Sequence, residues 1–214
     1  MIKAIIFDLD GVVVDTENSV WHDSSINLLA LYNKKHDEEK IKPLLMGSKF
    51  EDGTKIMYEF YKIQDSFENF LEHRRRFVHK GFAEKVTFMK GFENFYKRLE
   101  KHKKAIATSM DDEFLALTLN HLPLRSFFGQ YIYPISKVGG KGKPHPDIFI
   151  YTASRIGQNP ENCIVIEDAP KGVTAANSAG MKSIAITTSV LRRYLSHAVH
   201  IVDSFSEITD EMLT

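Results

Sequence analysis

The sequence predicts an α/β fold: a parallel sheet with helices on both faces, interrupted by a helical insert. Three observations predict it. From Gly91 onward, short apolar runs alternate with helix-like stretches, the pattern of parallel strands linked by crossover helices. Between Thr16 and Lys85 there is helical periodicity and almost no strand signal. Acidic and hydroxyl residues fall just after several predicted strands, at the carboxyl edge where such sheets bind ligands.

The first strand is Ala4 to Leu9, apolar and β-branched, bounded by Lys3 and by Asp10–Gly11. The insert follows. Trp21, Ile26, Leu28, Leu29 and Leu31, then Phe60, Phe67, Phe70, Leu71 and Phe77, recur at helical spacing. They predict three to five helices with turns near Pro43, Gly47, Gly53 and Gly81, because Gly and Pro punctuate helices. The phenylalanines are expected in core packing. Beyond Gly91 the expected order is a helix over 92–102, a strand over 103–108 and a helix over 111–121 opened by Asp111 or Asp112. A strand over 131–134, a helix over 147–156 and a strand over 163–166 come next. A helix over 171–179, closed by Gly180, and a strand over 183–187 complete the pattern.

The 214 residues carry 28 basic and 28 acidic side chains. That balance argues against a nucleic-acid partner, whose phosphates demand a basic excess, and it permits a monomer or a small homo-oligomer. The basic runs Arg74–Arg75–Arg76 and 101–104 read as solvated helix faces. No run is long and apolar enough for a membrane span, and the N-terminus lacks a signal-peptide pattern, so a cytoplasmic protein with no membrane partner is expected. The one cysteine, Cys163, excludes an intrachain disulfide. It lies in an apolar run with no adjacent base, which predicts a buried, inert thiol.

The chemistry gathers at the strand ends. Asp8 and Asp10 end the first strand, and Thr108 and Ser109 end the second. Lys143 precedes the helix at Asp147, and Glu167 and Asp168 end the strand at Cys163. Clustered carboxylates cannot all stay ionised without a cation. Mg²⁺ suits them, as a hard ion taking carboxylate, carbonyl and water oxygens. Hydroxyl and N–H donors can grip a phosphate, and a lysine can balance its charge. A carboxylate so placed can attack phosphorus and form an aspartyl-phosphate. Asp8 and Asp10 lie two apart, on one face of an extended chain. Gly11 permits a tight exit from the strand.

These segments resemble the haloacid dehalogenase superfamily, in the branch with an α-helical cap. The first motif is Phe7–Asp8–Leu9–Asp10–Gly11 with Asp15–Thr16–Glu17, the second Ala107–Thr108–Ser109. The third runs from Lys143 to Phe149, and the fourth from Ile166 through Asp168–Ala169–Pro170–Lys171–Gly172 to Met181. The sequence is similar to the β-phosphoglucomutase-like and phosphoglycolate-phosphatase-like members. The resemblance implies a Rossmann-like parallel sheet core over 1–15 and 87–214, with the cap over 16–86. It implies Asp8 as nucleophile and metal ligand. Asp10 would be general acid and base, lending its carbonyl to Mg²⁺. Thr108 and the Ser109 amide would hold the phosphoryl group, and Lys143 would balance charge. Asp168 would bind the metal directly and Glu167 through water. The reaction expected is hydrolysis of a small phosphorylated metabolite.

Three positions bear on the alternatives. Where mutase relatives carry a cap histidine stands Val20, with His22 two residues on. On an α-helix that shift turns the side chain about half a circle, so His22 is expected to be structural or on the surface. Met110–Asp111–Asp112 follow the second motif, and carboxylates there repel a second phosphate. Both points favour a phosphatase over a phosphosugar mutase, the alternative. A non-catalytic phospho-accepting protein is the other. Lys49, in the turn 47–50, is a candidate for the substrate's polar end. Lys141 is not expected to act.

Overall fold

The computed structural model describes residues 1–46 and 48–214; the turn expected at Gly47 lies outside them. Strand β1 (Ala4–Phe7) is completely buried. Its partners are β4 (Lys103–Thr108) on one side and β6 (Cys163–Glu167) on the other. With β5 (Ile132–Pro134), β7 (Lys182–Ile186) and β8 (His200–Val202) they form a six-stranded sheet in the order β5-β4-β1-β6-β7-β8. Every pairing in it is parallel. Burial on both faces is why these strands read as continuous apolar runs.

The faces separate by the two-residue period of a strand. Ile5, Phe7, Ile106, Ile164, Ile166 and Ile184 face a core with Phe92, Phe95, Phe128 and Phe205. Ala4, Ile6, Ala105, Ala107 and Val165 face the other side. There the helices α8 (Asp147–Arg155) and α9 (Pro170–Ser178) cover them with Ile148, Phe149, Ala153, Ala175 and Ala176. Cys163 belongs to that second core, and burial pushes its thiol up to about 11, so it stays protonated. Three helices, α5 (Phe92–Arg98), α6 (Asp112–His121) and α7 (Leu124–Phe128), complete the connections among the described residues. Asp111 takes the position before α6, with its backbone extended, but its side chain caps nothing.

The chain leaves β1 through a tight turn into β2 (Val14–Asp15), which pairs antiparallel with β3 (Thr87–Phe88). Between these two short strands lie a π-helical turn, Glu17–His22, and the helices α1 (Asp23–Ala30), α2 (Glu38–Leu45), α3 (Phe50–Phe60) and α4 (Phe67–Glu84). They enclose a small core of Leu28, Leu29, Ile41, Met57 and Phe70. Phe70 belongs to this core and Phe77 packs at its edge, as expected, whereas Phe60 is exposed.

Three expected turns are helix interiors instead. Pro43 lies within α2, Gly53 within α3 and Gly81 within α4. At Gly81 close packing calls for glycine; at Gly53 there is room for a Cβ. A Cβ on Gly81 would sit 2.8 Å from Val20 Cγ1, and one on Gly53 would sit 3.5 Å from Arg74 Nη1. Pro43 is tolerated because tertiary packing, here of Ile41 and Leu45, outweighs one missing helix bond. The arginine run is not uniformly solvated either. Arg74 is buried, donates to the Phe50 carbonyl at 3.1 Å and to Thr54 Oγ1 at 2.8 Å, and stacks on Phe50 and Trp21. No helix among the described residues is long and apolar enough to cross a membrane.

Candidate active site

Strand order reverses beside β1: the chain runs from β1 to β4 and β5 on one side, then crosses to β6 on the other. A crevice opens at the carboxyl end of such a reversal. Asp8 follows β1 there, and its N–H donates to the Ile166 carbonyl at 3.0 Å, so the β1–β6 ladder itself aims the residue. Thr108 ends β4, and Glu167 ends β6 with Asp168 next. Lys143 enters from the loop before α8. All five are buried.

Lys143 is the electrostatic hub. Its ammonium contacts Asp8 Oδ1 and lies 2.6 Å from Glu167 Oε1. The other Glu167 oxygen accepts the N–H groups of Asp168 and Ala169, both at 2.8 Å. Those N–H groups lead into α9, whose N-terminal dipole favours a negative charge. A Cβ on Gly172, in the first turn of α9, would overlap the Glu167 carboxylate. Glu167 is thus fully engaged by protein groups and fixes Lys143 under Asp8. Burial pulls the Lys143 ammonium down, but Asp8 and Glu167 more than reverse this and hold it above its ordinary range.

The remaining carboxylates are not neutralised. Burial pushes Asp8 up to about 8; Lys143 opposes the shift, while Glu167 and Asp10 add to it. Burial, then Glu167 and Asp8, raise Asp168 well above the usual carboxylate range, and a hydrogen bond from Ser189 opposes them. One oxygen each from Asp8, Glu167 and Asp168 lie within 4.8 Å of one another. A buried set of hard oxygens with more negative charge than one lysine can balance fits a divalent cation such as Mg²⁺. Gly11, at φ +72°, lets the chain turn tightly over this set: a Cβ there would strike Asp168 and Ser189.

Asp10 points away from the cluster, toward the helical insert. Its Oδ1 accepts Thr16 Oγ1 at 2.6 Å and Trp21 Nε1 at 3.4 Å. Burial raises its carboxyl above the usual range, and those two hydrogen bonds act in the opposite direction. A raised carboxyl held in place by two donors is suited to carry a proton.

These groups open onto one cavity of about 110 Å³, lined on the sheet side by Asp8, Asp10, Thr108, Ser109 and Asp168. Among the described residues, the buried Ser109 Oγ has no hydrogen-bond partner. The Thr108 hydroxyl accepts the Met110 N–H at 3.0 Å, leaving its proton for another acceptor. Two unspent donors facing a cavity suit a phosphate. The insert supplies the opposite wall: Glu17, Trp21, His22, His36, Glu38 and Lys42 among others.

His22 therefore differs from its expected place. It lines the cavity, with Nδ1 3.0 Å from Glu38 Oε2. The expectation took the Val20 position to face the site; residues 17–22 wind as a π-helix, with Trp21 N–H bonded to the Thr16 carbonyl at 2.9 Å, and the opposite face meets the cavity. Val20 points instead into the main core. Lys49 does not line the cavity. Its stem lies over the core loop, where a Cβ on Gly142 would be 3.3 Å from Lys49 Cγ. Lys141 pairs with Asp147 at 3.4 Å on the surface. Thr16, Trp21 and Ser189 were missed as holders of Asp10 and Asp168, since each contact depends on how the connecting loops fold back.

The chain resembles known proteins along most of its length. The probable pseudouridine-5'-phosphatase of Drosophila melanogaster is 33% identical over 213 residues, 96% of this chain and 91% of that protein. The phosphorylated carbohydrates phosphatase of Thermotoga maritima is 30% identical over 85% of this chain and 83% of its own. The crystal structure of β-phosphoglucomutase from Clostridium difficile superposes with a TM-score of 0.82, at 27% identity, over 100% of this chain and 96% of that one. Residues 5–186 match the family of haloacid dehalogenase-like hydrolases, and the chain is an enzyme belonging to that family.

Proposed function

We propose that the protein is a magnesium-dependent phosphatase that hydrolyses a small phosphorylated metabolite through an aspartyl-phosphate on Asp8. The observation that carries this reading is the grouping of Asp8, Asp10, Thr108, Ser109 and Asp168 on one cavity wall, with Lys143 buried beneath Asp8. In this reading residues 16–86 act as a cap over a core of 1–15 and 87–214.

The residues divide the work as follows. Thr108 and Ser109 hold the phosphoryl oxygens, and Lys143 offsets their charge. An Asp8 oxygen attacks phosphorus in line and the bond to the leaving oxygen breaks. Asp10 gives that oxygen its proton, releasing an alcohol. Asp10, now a carboxylate, takes a proton from water as the water attacks phosphorus. The Asp8–phosphorus bond breaks and inorganic phosphate leaves. The Mg²⁺ site would be built from Asp8, Asp168 and the Asp10 carbonyl, with Glu167 behind; the ion, when bound, neutralises charge on the phosphoryl oxygens. Asp10 stays oriented for both proton transfers because Thr16 and Trp21 hold its carboxyl.

Hydrolysis is favoured over the mutase alternative by charge. Glu38 and Asp111 also line the cavity, and Lys42, the one Lys or Arg among the described lining residues, is tied to Glu38 at 2.9 Å. That wall repels a second phosphate. The named relatives that act on pseudouridine 5'-phosphate and on phosphorylated carbohydrates point to a hydroxyl-rich leaving group. The test is phosphate release from a panel of sugar phosphates, phosphoglycolate, nucleoside monophosphates and flavin mononucleotide with Mg²⁺, beside chelated and Asp8→Asn controls. Turnover that disappears in both controls supports the reading. Turnover that survives Asp8→Asn, or sugar-phosphate interconversion without phosphate release, refutes it.

A further inference from the structure

The π-helical turn gives the cavity a feature that an α-helix would not. In a π-helix residues five apart share a face. Glu17 and His22 are five apart, and both line the cavity. His22 is already engaged with Glu38, which also holds Lys42. Glu17 is not engaged in this way. Its side chain is only 7% exposed, and among the described residues no hydrogen bond reaches its carboxylate. Lys42 exerts the largest attraction on it, yet Lys42 is committed to Glu38. A buried carboxylate without donors is costly to keep, and such groups in native proteins call for an explanation. This one sits on the wall opposite the phosphoryl site.

We infer that Glu17 is a specificity-determining residue: its carboxylate accepts a hydrogen bond from a hydroxyl or ring N–H of an uncharged leaving group. The inference rests on the phosphatase reading and deepens it. The π turn links recognition to chemistry, because Trp21, inside the turn, donates to Asp10 from the same segment that carries Glu17. Seating a donor on Glu17 therefore loads the helical segment that also orients the proton carrier.

The experiment compares kcat/KM for glucose 6-phosphate, ribose 5-phosphate and pseudouridine 5'-phosphate with that for p-nitrophenyl phosphate, whose leaving group offers no hydroxyl or N–H donor in the ester. Wild type, Glu17→Gln and Glu17→Ala are assayed together, with thermal melting as the folding check. For the best donor-bearing substrate, the ratio to p-nitrophenyl phosphate is expected to fall about 10-fold in Glu17→Ala, the worth of one buried hydrogen bond, and less in Glu17→Gln. The loss should fall mainly on KM. A ratio that moves by less than about threefold in Glu17→Ala, with Asp8-dependent turnover intact in wild type, overturns this inference alone. If wild type turns over none of the four esters, the phosphatase reading falls and this inference falls with it.

Discussion

Removing the metal should make stability fall as pH rises, the reverse of ordinary acid denaturation. Asp8 and Glu17 each sit at about 8 in the folded protein, against ordinary values of 3.8 and 4.5, chiefly through burial. A carboxyl raised on folding holds its proton in the folded state while the unfolded chain has lost it. Stability then declines with pH until the folded value is passed. The opposing groups act elsewhere. His36 and His102 are lowered below 6.5 by burial, and their opposing slope fades above that pH as the unfolded histidines lose their protons. Asp37, Asp65 and Asp203 are lowered below 3.8 and act only in acid. The clean window is therefore about pH 6.5 to 8, where each retained proton costs about 1.4 kcal/mol per pH unit. Two such protons, shedding toward the top of the window, amount to about 3 kcal/mol. The assay is urea denaturation at fixed ionic strength, in chelator and in saturating Mg²⁺. In chelator the midpoint should fall across the window; in Mg²⁺ the slope should shrink, because a cation at Asp8 and Asp168 replaces protons. A chelated midpoint that stays flat or rises from pH 6.5 to 8 refutes both the burial argument and the cation site built on it.

Other substitutions probe separate supports of the site. Lys143→Met should cost about 3–5 kcal/mol in urea titration by stranding the buried Asp8 and Glu167, and should abolish phosphate release. Gly172→Ala drives a methyl into the Glu167 carboxylate; by displacing the partner of Lys143 it should lower kcat more than it raises KM, as steady-state kinetics would show. Ser189→Ala removes the hydrogen bond to Asp168 and should weaken Mg²⁺ binding about tenfold, measured as the Mg²⁺ concentration for half-maximal rate. Arg74→Ala deprives the Phe50 carbonyl and Thr54 of a buried donor and should lower stability by about 2–4 kcal/mol with little change in the order of substrate preference.

What the sequence reveals of this site follows from how each residue is held. Asp8, Thr108 and Glu167 are legible because each ends a strand buried on both faces, and a continuous apolar run that stops at a polar residue is visible in one dimension. Lys143 is legible from the Pro-rich segment that precedes α8. Glu167 as the anchor of Lys143 is not, since its partners are the ammonium, two N–H groups and the space beside Gly172. Ser189 reaches Asp168 only because the loop after β7 folds back over the sheet edge. Gly81 misleads for a related reason: the same missing side chain that permits a turn also lets helical segments meet closely, and periodicity does not distinguish the two uses. Short elements escape as well. β2 and β3 have two residues each, too few for an alternation to register.

His22 exposes a deeper limit: it does lie about half a circle from Val20, but Val20 is the one turned away from the cavity. An α-helix turns about 100° per residue; a π turn, with its i to i+5 bonds, turns less, so a phase difference accumulates along the segment. From Glu17 to His22 it suffices to bring both side chains onto one face and to leave Val20 in the core. The two walls of the cavity are therefore specified in different ways. The sheet wall is set by registers buried on both faces, where a slip would disrupt the core. The insert wall depends on one widened helical turn, pressed against Gly81 and tied to Asp10 through Trp21. A one-residue change of chain length there would rotate Glu17 relative to His22 while leaving Asp8, Lys143 and Asp168 in place. If Glu17 meets the leaving group as proposed, substrate choice varies through the pitch of six residues, independently of the chemistry held at the sheet edge.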